Sequence, residues 1–452
     1  MIFADLLFLF IFLPINLLLY FAFKSNAYRN AVLVVFSLIF YAWGEPLMIF
    51  LLLATTEINR VFALFIEKHK GEKRGKAFAF LSIGLTLTSL FVFKYTPLFN
   101  LPFRPNLPIG ISFYSFQIIT YIVGVYKGRF CAQRSRLNFL MYVSLYPQLT
   151  AGPIVRYEDI HTQINDRKMR LEDISGGITR FVIGLAKKIL IANQIGAAAT
   201  SILDGDVSSL SVGGAWLGIF FFALQIYYDF SGYSDMAIGL GGIFGFKFPE
   251  NFNYPYISKS ISEFWRRWHM TLGGFFRDYV YIPLGGNRRR GWLNLLIVWI
   301  LTGLWHGASW NFALWGLYFG LIIIAERAFV LKIADYIPPA LSFIRVIFTF
   351  AAVMFGWIMF YFTDFVQMLA FMRSLFGLNN NPLYDIITTN LLYNQLLLVI
   401  AAIIFCTPVY RFAEKRGAAF NYLAPVTNAA LIILCAIMLV GDNYNPFLYY
   451  RF

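Results

Sequence analysis

Long runs without Asp, Glu, Lys or Arg alternate along the chain with short basic clusters. Residues 6–23, 207–228, 346–363, 386–410 and 417–441 are each uncharged and long enough to cross a bilayer as helices. Residues 77–93 form a further apolar run of nearly that length. Residues 31–56 hold one charge, Glu45, next to Pro46, so two spans joined by a tight turn are expected there. The run 291–325 is 35 residues long with His306 as its only ionisable group, too long for one simple span.

The basic clusters set sidedness, because Lys and Arg are retained on the cytoplasmic side. They occupy 68–76, 127–136, 156–170, 266–290 and 411–416. The loops 203–211 and 379–390 are acidic or neutral and are expected outside. Crossings counted between clusters place both the N-terminus and residues 442–452 outside. Residues 137–155 break the count, since they link two cytoplasmic clusters and are too short to cross twice. With Pro147, Gln148, Gly152 and Pro153 among them, a re-entrant element is expected, and such backbone survives only where protein or a water-lined cavity satisfies it. The glycines between Gly239 and Gly245 suggest a second break.

Composition supports lipid as the solvent: 59% of residues are hydrophobic and 13% charged, about half the ~25% of a soluble domain. The expectation is an all-α polytopic integral membrane protein of about 10–12 spans plus re-entrant or interfacial helices, with residues 1–452 as one membrane domain. A net charge of +14 would suggest nucleic acid in a soluble chain. Here the basic residues lie between spans, where they set topology and touch anionic membrane lipid, and no nucleic-acid partner is expected. Residues 1–23 lack a positive n-region and a small-residue cleavage site, so they are expected to stay as a first span. Cys131, Cys406 and Cys435 show neither a disulfide framework nor metal spacing, and no metal site is expected.

Chemistry is sought first among four histidines. His69 reads as solvated loop. His161 and Asp166 match an H-x-x-x-x-D acyltransferase spacing, without the Gly-rich phosphate block that should follow it. His306 stands at membrane depth between Gly303 and Gly307, where an ionisable group is costly and is a functional hypothesis by default. A neutral imidazole there can take a proton from a hydroxyl and return it to a thiolate; the alternative is an interhelical packing hydrogen bond. His269 lies in an interfacial string with Arg266, Arg267 and Arg277. Those arginines could hold a phosphate-bearing donor or simply anchor to headgroups. Asp229 and Asp235 close an apolar run and either pair with arginines of the next segment or line a polar path. Neither a Walker motif nor a G-x-S-x-G elbow occurs, which argues against an ATP-driven pump and an α/β-hydrolase.

Taken in order, Trp265-Arg266-Arg267-Trp268-His269, then residues 276–286 and then Leu301-Thr302-Gly303-Leu304-Trp305-His306-Gly307 resemble the membrane-bound O-acyltransferase (MBOAT) family. Asp229–Asp235, Asn251–Tyr256, Ala151–Ile154, the opening Met1-Ile2-Phe3 and the tail 447–452 are similar to its alginate O-acetyltransferase (AlgI-like) branch. The likeness runs along the whole chain and is densest over 225–320.

The resemblance implies His306 as the catalytic residue and His269 as a second required histidine nearer the cytoplasm. It also implies a ring of spans around a central tunnel, which Trp305, Asp229 and Asp235 would line. No bound cofactor is expected; acetyl-CoA or another acyl thioester would be the donor substrate. Passage of an acetyl group across a bacterial inner membrane follows, for a polysaccharide such as alginate or peptidoglycan. An exported esterase-like partner with a Ser-His-Asp site would complete the transfer, with the outer tail 449–452 as one docking surface for it. Two other readings remain: a flippase for a saccharide precursor, for which broken helices suit, and D-alanyl transfer to teichoic acid.

Overall fold

A computed structural model describes residues 1–99, 105–330, 341–409, 418–441 and 444–446. The basic cluster 411–416 and the tail 449–452 lie outside the described residues. Among the described residues every regular element is a helix. Eight are long and apolar enough to span: Asn26–Gly44, Met48–Lys68, Lys73–Tyr95, Leu171–Leu203, Trp310–Phe329, Ser342–Tyr361, Ile386–Phe405 and Leu423–Gly441. Shorter apolar helices cover Phe8–Ala22, Ile111–Tyr126, Gly291–His306 and Phe365–Leu375. The chain is therefore a multi-pass membrane protein.

The turn at Glu45 and Pro46 separates two helices as expected. The 35-residue uncharged run divides into Gly291–His306 and Trp310–Ala325. Leu171–Leu203 was not foreseen as a span, because Arg180, Lys187 and Lys188 interrupt its apolar pattern.

The chain forms two compact units, Met1–Leu185 with Tyr233–Glu250, and Ala186–Gly232 with Asn251–Leu448. In the first, polar groups join helices that have no hydrophobic force to hold them in lipid. Asn59 Oδ1 accepts from Ser82 Oγ at 2.5 Å and from Thr86 Oγ1 at 3.3 Å. The suspected re-entrant segment is two short helices, Arg136–Ser144 and Tyr146–Leu149, the second with a proline in its first turn. Protein satisfies the break: Gln148 Nε2 donates to Tyr142 O at 2.6 Å, and Tyr142 OH to Val155 O at 3.1 Å. Within the run 239–245, helix Val212–Ile243 continues through Gly239–Gly242. A Cβ at Gly239 would sit 2.6 Å from Gly177 O and from Phe181 N, so these glycines permit close helix contact. The break falls at Gly245, φ +79°, as at a glycine C-cap.

In the second unit, Gly291–His306 and Trp310–Ala325 form an antiparallel hairpin. A Cβ on Gly303 would lie 2.0 Å from Phe312 O, and one on Gly316 2.1 Å from Trp299 O. Loops 203–211 and 379–390 were both assigned outside on charge, and they meet. Asn381 Nδ2 donates to Ser208 O at 2.7 Å, and Ser211 Oγ bonds Asp385.

Candidate active site

The second unit carries both histidines of interest. His306 ends its helix at the point where extended Gly307 begins the hairpin turn. Any side chain at 307 would strike the Phe312 ring at 2.2 Å. The glycines that close the hairpin thus also fix the imidazole. Its ring lies edge-on among Trp305 at 4.9 Å, Trp315 at 5.1 Å and Phe360 at 5.3 Å, and it is 2% exposed.

His269 is placed by a break. Helix Ile261–Arg267 starts with Ser260 capping Glu263 N. Buried Glu326 accepts from Ile261 N at 2.6 Å and Ser262 N at 3.0 Å, satisfying amides that a helix start leaves open. Residues 251–253 then run alongside, with Asn253 N bonded to Arg267 O and Met270 N to Asn251 O, both at 2.9 Å. His269 joins this helix to Met270–Phe276 in the left-handed region, φ 44° and ψ 53°, a cost a non-glycine residue bears only where its surroundings dictate it.

Thr271 donates to Asn251 Oδ1 from its hydroxyl at 2.9 Å and its amide at 3.4 Å, which fixes that oxygen as an acceptor. His269 Nδ1, 3.0 Å away, therefore carries the hydrogen, and the lone pair lies on Nε2. Burial disfavours the protonated ring. Phe230 packs edge-on to it at 4.7 Å. The indole of Trp305 packs against both histidines, 6.0 Å from His269 and 4.9 Å from His306 by ring centroids. Trp265, Trp299, Trp315 and Phe319 extend the aromatic wall. The indole N–H groups of Trp265 and Trp315 are buried and have no acceptor among the described residues.

The carboxylates are both paired, not with arginines of the next segment as expected but with basic residues of the preceding helix Leu171–Leu203. Asp229 meets Lys188 at 2.6 Å, the two side chains 1% and 3% exposed. In the other unit Asp235 meets Arg180 at 2.8 Å, and Arg180 also meets Glu250 at 2.5 Å. Of the arginines proposed for a donor, Arg267 pairs with Glu263 at 2.8 Å and Arg277 with Asp278 at 2.7 Å, while Arg266 is exposed. His161 bonds Glu158 O at 3.1 Å, and His69 pairs with Glu72 at 3.0 Å. Among the described residues no group of three or more His, Cys, Asp or Glu could hold a metal ion, and the cysteines are free.

With this geometry in view, comparison with known proteins is decisive for the family. Residues 131–374 match the sequence model of MBOAT, the membrane-bound O-acyltransferase family. The chain belongs to that family. It is 35% identical to the probable alginate O-acetylase AlgI of Pseudomonas putida, with 100% of both chains covered. The corresponding protein of Azotobacter vinelandii is 42% identical over 80% of this chain and 75% of its own. The peptidoglycan O-acetyltransferase of Helicobacter pylori is 34% identical over 82% of this chain and 79% of its own. The chain is accordingly a membrane O-acyltransferase. The sequence did not single out Lys188, Glu326 or Trp315, and Asn251 entered only as part of the motif 251–256 without a role. Lys187-Lys188 in an otherwise apolar stretch was the available signal for the first; the others depend on contacts distant in the chain.

Proposed function

We propose that this protein passes an acetyl group from a cytoplasmic thioester, acetyl-CoA or a related donor, across the bacterial inner membrane. The acceptor is an extracytoplasmic polysaccharide, alginate or a relative such as peptidoglycan, reached through an exported esterase-like acetyltransferase. The observation that carries the reading is the sharing of one buried indole, Trp305, by His306 and His269. The names borne by the relatives support acetyl as the group and polysaccharide as its destination.

In this mechanism His306 takes the proton of an acceptor hydroxyl as its oxygen attacks the thioester carbonyl. The C–O bond forms, the tetrahedral intermediate collapses, and the C–S bond breaks. The proton held on His306 passes to the departing thiolate, so one thioester and one alcohol give one ester and one thiol. A donor N–H in a low-dielectric, water-poor wall is worth most to the developing oxyanion. Trp315, 5.1 Å from the His306 ring and with a buried indole N–H that finds no acceptor among the described residues, suits that role. His269 is held neutral with its lone pair on Nε2, so it acts as an acceptor that orients the donor or acceptor group.

The test is polysaccharide O-acetyl content for wild type and His306→Ala at matched membrane abundance, with the exported partner present. Loss of a general base typically lowers rate by about 10²–10⁴-fold. Unchanged acetylation would reduce His306 to a packing residue. Acetyl trapped on His306 in the absence of acceptor would replace direct transfer by an acyl-histidine intermediate.

A further inference from the structure

Within the unit formed by Met1–Leu185 and Tyr233–Glu250 lies a pair of arginines that no carboxylate of the described residues neutralises. Arg29 and Arg167 are 9% and 6% exposed. Both guanidinium groups lie over the ring of Tyr20, at 5.3 and 5.9 Å from its centroid, and Arg167 also lies 4.5 Å over Phe246. Arg29 Nε donates to Phe23 O at 3.1 Å. Arg167 Nη2 donates to Asn30 Oδ1, while its Nε and Nη1 are buried with no hydrogen-bond partner among the described residues. Among the described residues neither arginine has an ion pair; the adjacent acid, Asp166, is exposed.

The surroundings hold Arg167 in place. Asn30 donates through Nδ2 to Asn138 Oδ1 and to Ile164 O, both at 3.0 Å, so its oxygen is committed to the arginine. The stem passes Gly245, where a Cβ would come within 3.6 Å of Arg167 Cδ. Tyr20, the platform beneath both cations, is pinned by its hydroxyl to Phe244 O at 2.5 Å. A single arginine on this platform could be a cation–π strut. Two like charges on one ring, with donors of a planar fork unfilled, are an unfavourable way to build a strut. They are a favourable way to hold a tetrahedral oxyanion, which accepts several N–H groups at once and cancels the mutual repulsion.

We propose that Arg29 and Arg167 form a binding site for a phosphate group. Exposed Lys24, Lys168 and Arg170 neighbour the pair in sequence, at chain positions whose basic character assigns them to the cytoplasmic face. Two sources present a phosphate there: the diester of an anionic lipid headgroup, or a soluble phosphate ester such as coenzyme A.

The full-length protein, purified in neutral detergent and exchanged into phosphatidylcholine nanodiscs, separates the two. One arm titrates phosphatidylglycerol into the lipid and counts retained headgroups by native mass spectrometry. The other titrates coenzyme A, then inorganic phosphate, and follows thermal stability. The site predicts that Arg167→Gln weakens binding in at least one arm by about 10-fold or more, as loss of charge-assisted hydrogen bonds does. An effect confined to phosphatidylglycerol identifies a lipid site, and one seen with coenzyme A or phosphate a soluble ligand. Equal binding by wild type and variant in both arms overturns the proposal. Should Arg167→Gln fail to fold, Arg29→Gln is read by the same criteria. Because binding is measured, failure here leaves the acyl-transfer reading untouched.

Discussion

The Lys188–Asp229 pair offers a quantitative test of what the interior carboxylates do. At 2.6 Å and an effective dielectric of about 20, two unit charges attract by roughly 6 kcal/mol. Withdrawing each from water costs several kcal/mol, so the intact pair contributes little net stability. Removing one partner is different, because it strands the other: Asp229→Asn leaves the Lys188 ammonium buried, with the Pro446 carbonyl as a remaining acceptor, at a cost of about 3–5 kcal/mol. Lys188→Met combined with Asp229→Leu removes both charges and should recover most of that loss. Thermal midpoints from fluorescence-detected size exclusion, read for both single variants and the double variant, give the comparison. A double variant no more stable than Asp229→Asn refutes the reasoning, as does an Asp229→Asn protein that matches wild type. Acetyl transfer by the stable double variant then separates the roles: retained activity makes the pair structural, and lost activity places it on the acyl path.

Two other substitutions probe the wall around His306. Gly303→Ala puts a methyl 2.0 Å from Phe312 O, forcing the hairpin apart one turn before His306; a stability loss of about 1–3 kcal/mol and a rate loss on the order of 10²-fold from misplacement are expected. Gly84→Ala, with nothing within 4 Å of the added carbon, is the control and should be neutral in both assays. Trp315→Phe keeps an aromatic ring, though a smaller one, and deletes the indole N–H, so turnover should fall by about 10²–10³-fold at unchanged abundance; wild-type turnover would exclude Trp315 as an oxyanion donor.

Span positions were legible in the sequence wherever charge alone marked a boundary, as at Glu45-Pro46 and across the uncharged run 291–325. The same rule hid Leu171–Leu203, because charge inside a span is invisible to it when the neutralising partner is remote: Asp235 lies 55 residues from Arg180. His306 was legible since an ionisable residue at membrane depth is rare. The tautomer of His269 was not, since it depends on Asn251 and Thr271 meeting in space. The run 239–245 contains the expected break only at Gly245, because glycine signals either a helix break or a close helix contact, and the presence of Gly177 opposite Gly239 makes the earlier glycines contacts.

His269 combines two properties that substitution can separate, a left-handed backbone and an imidazole. The backbone at φ 44° costs an ordinary L-residue about 1–2 kcal/mol, which glycine avoids and asparagine tolerates. If His269 served only to turn the chain between Ile261–Arg267 and Met270–Phe276, His269→Gly would fold at least as well as wild type and transfer acetyl normally. If the ring is needed, His269→Gly and His269→Asn should both reach the membrane at wild-type abundance and both lose transfer. Asparagine can reproduce the contact to Asn251 made by Nδ1 at 3.0 Å, yet it offers nothing at the position of Nε2. A fully active His269→Asn would therefore confine the role of His269 to its bond with Asn251, and an inactive, well-folded one would place the function on Nε2.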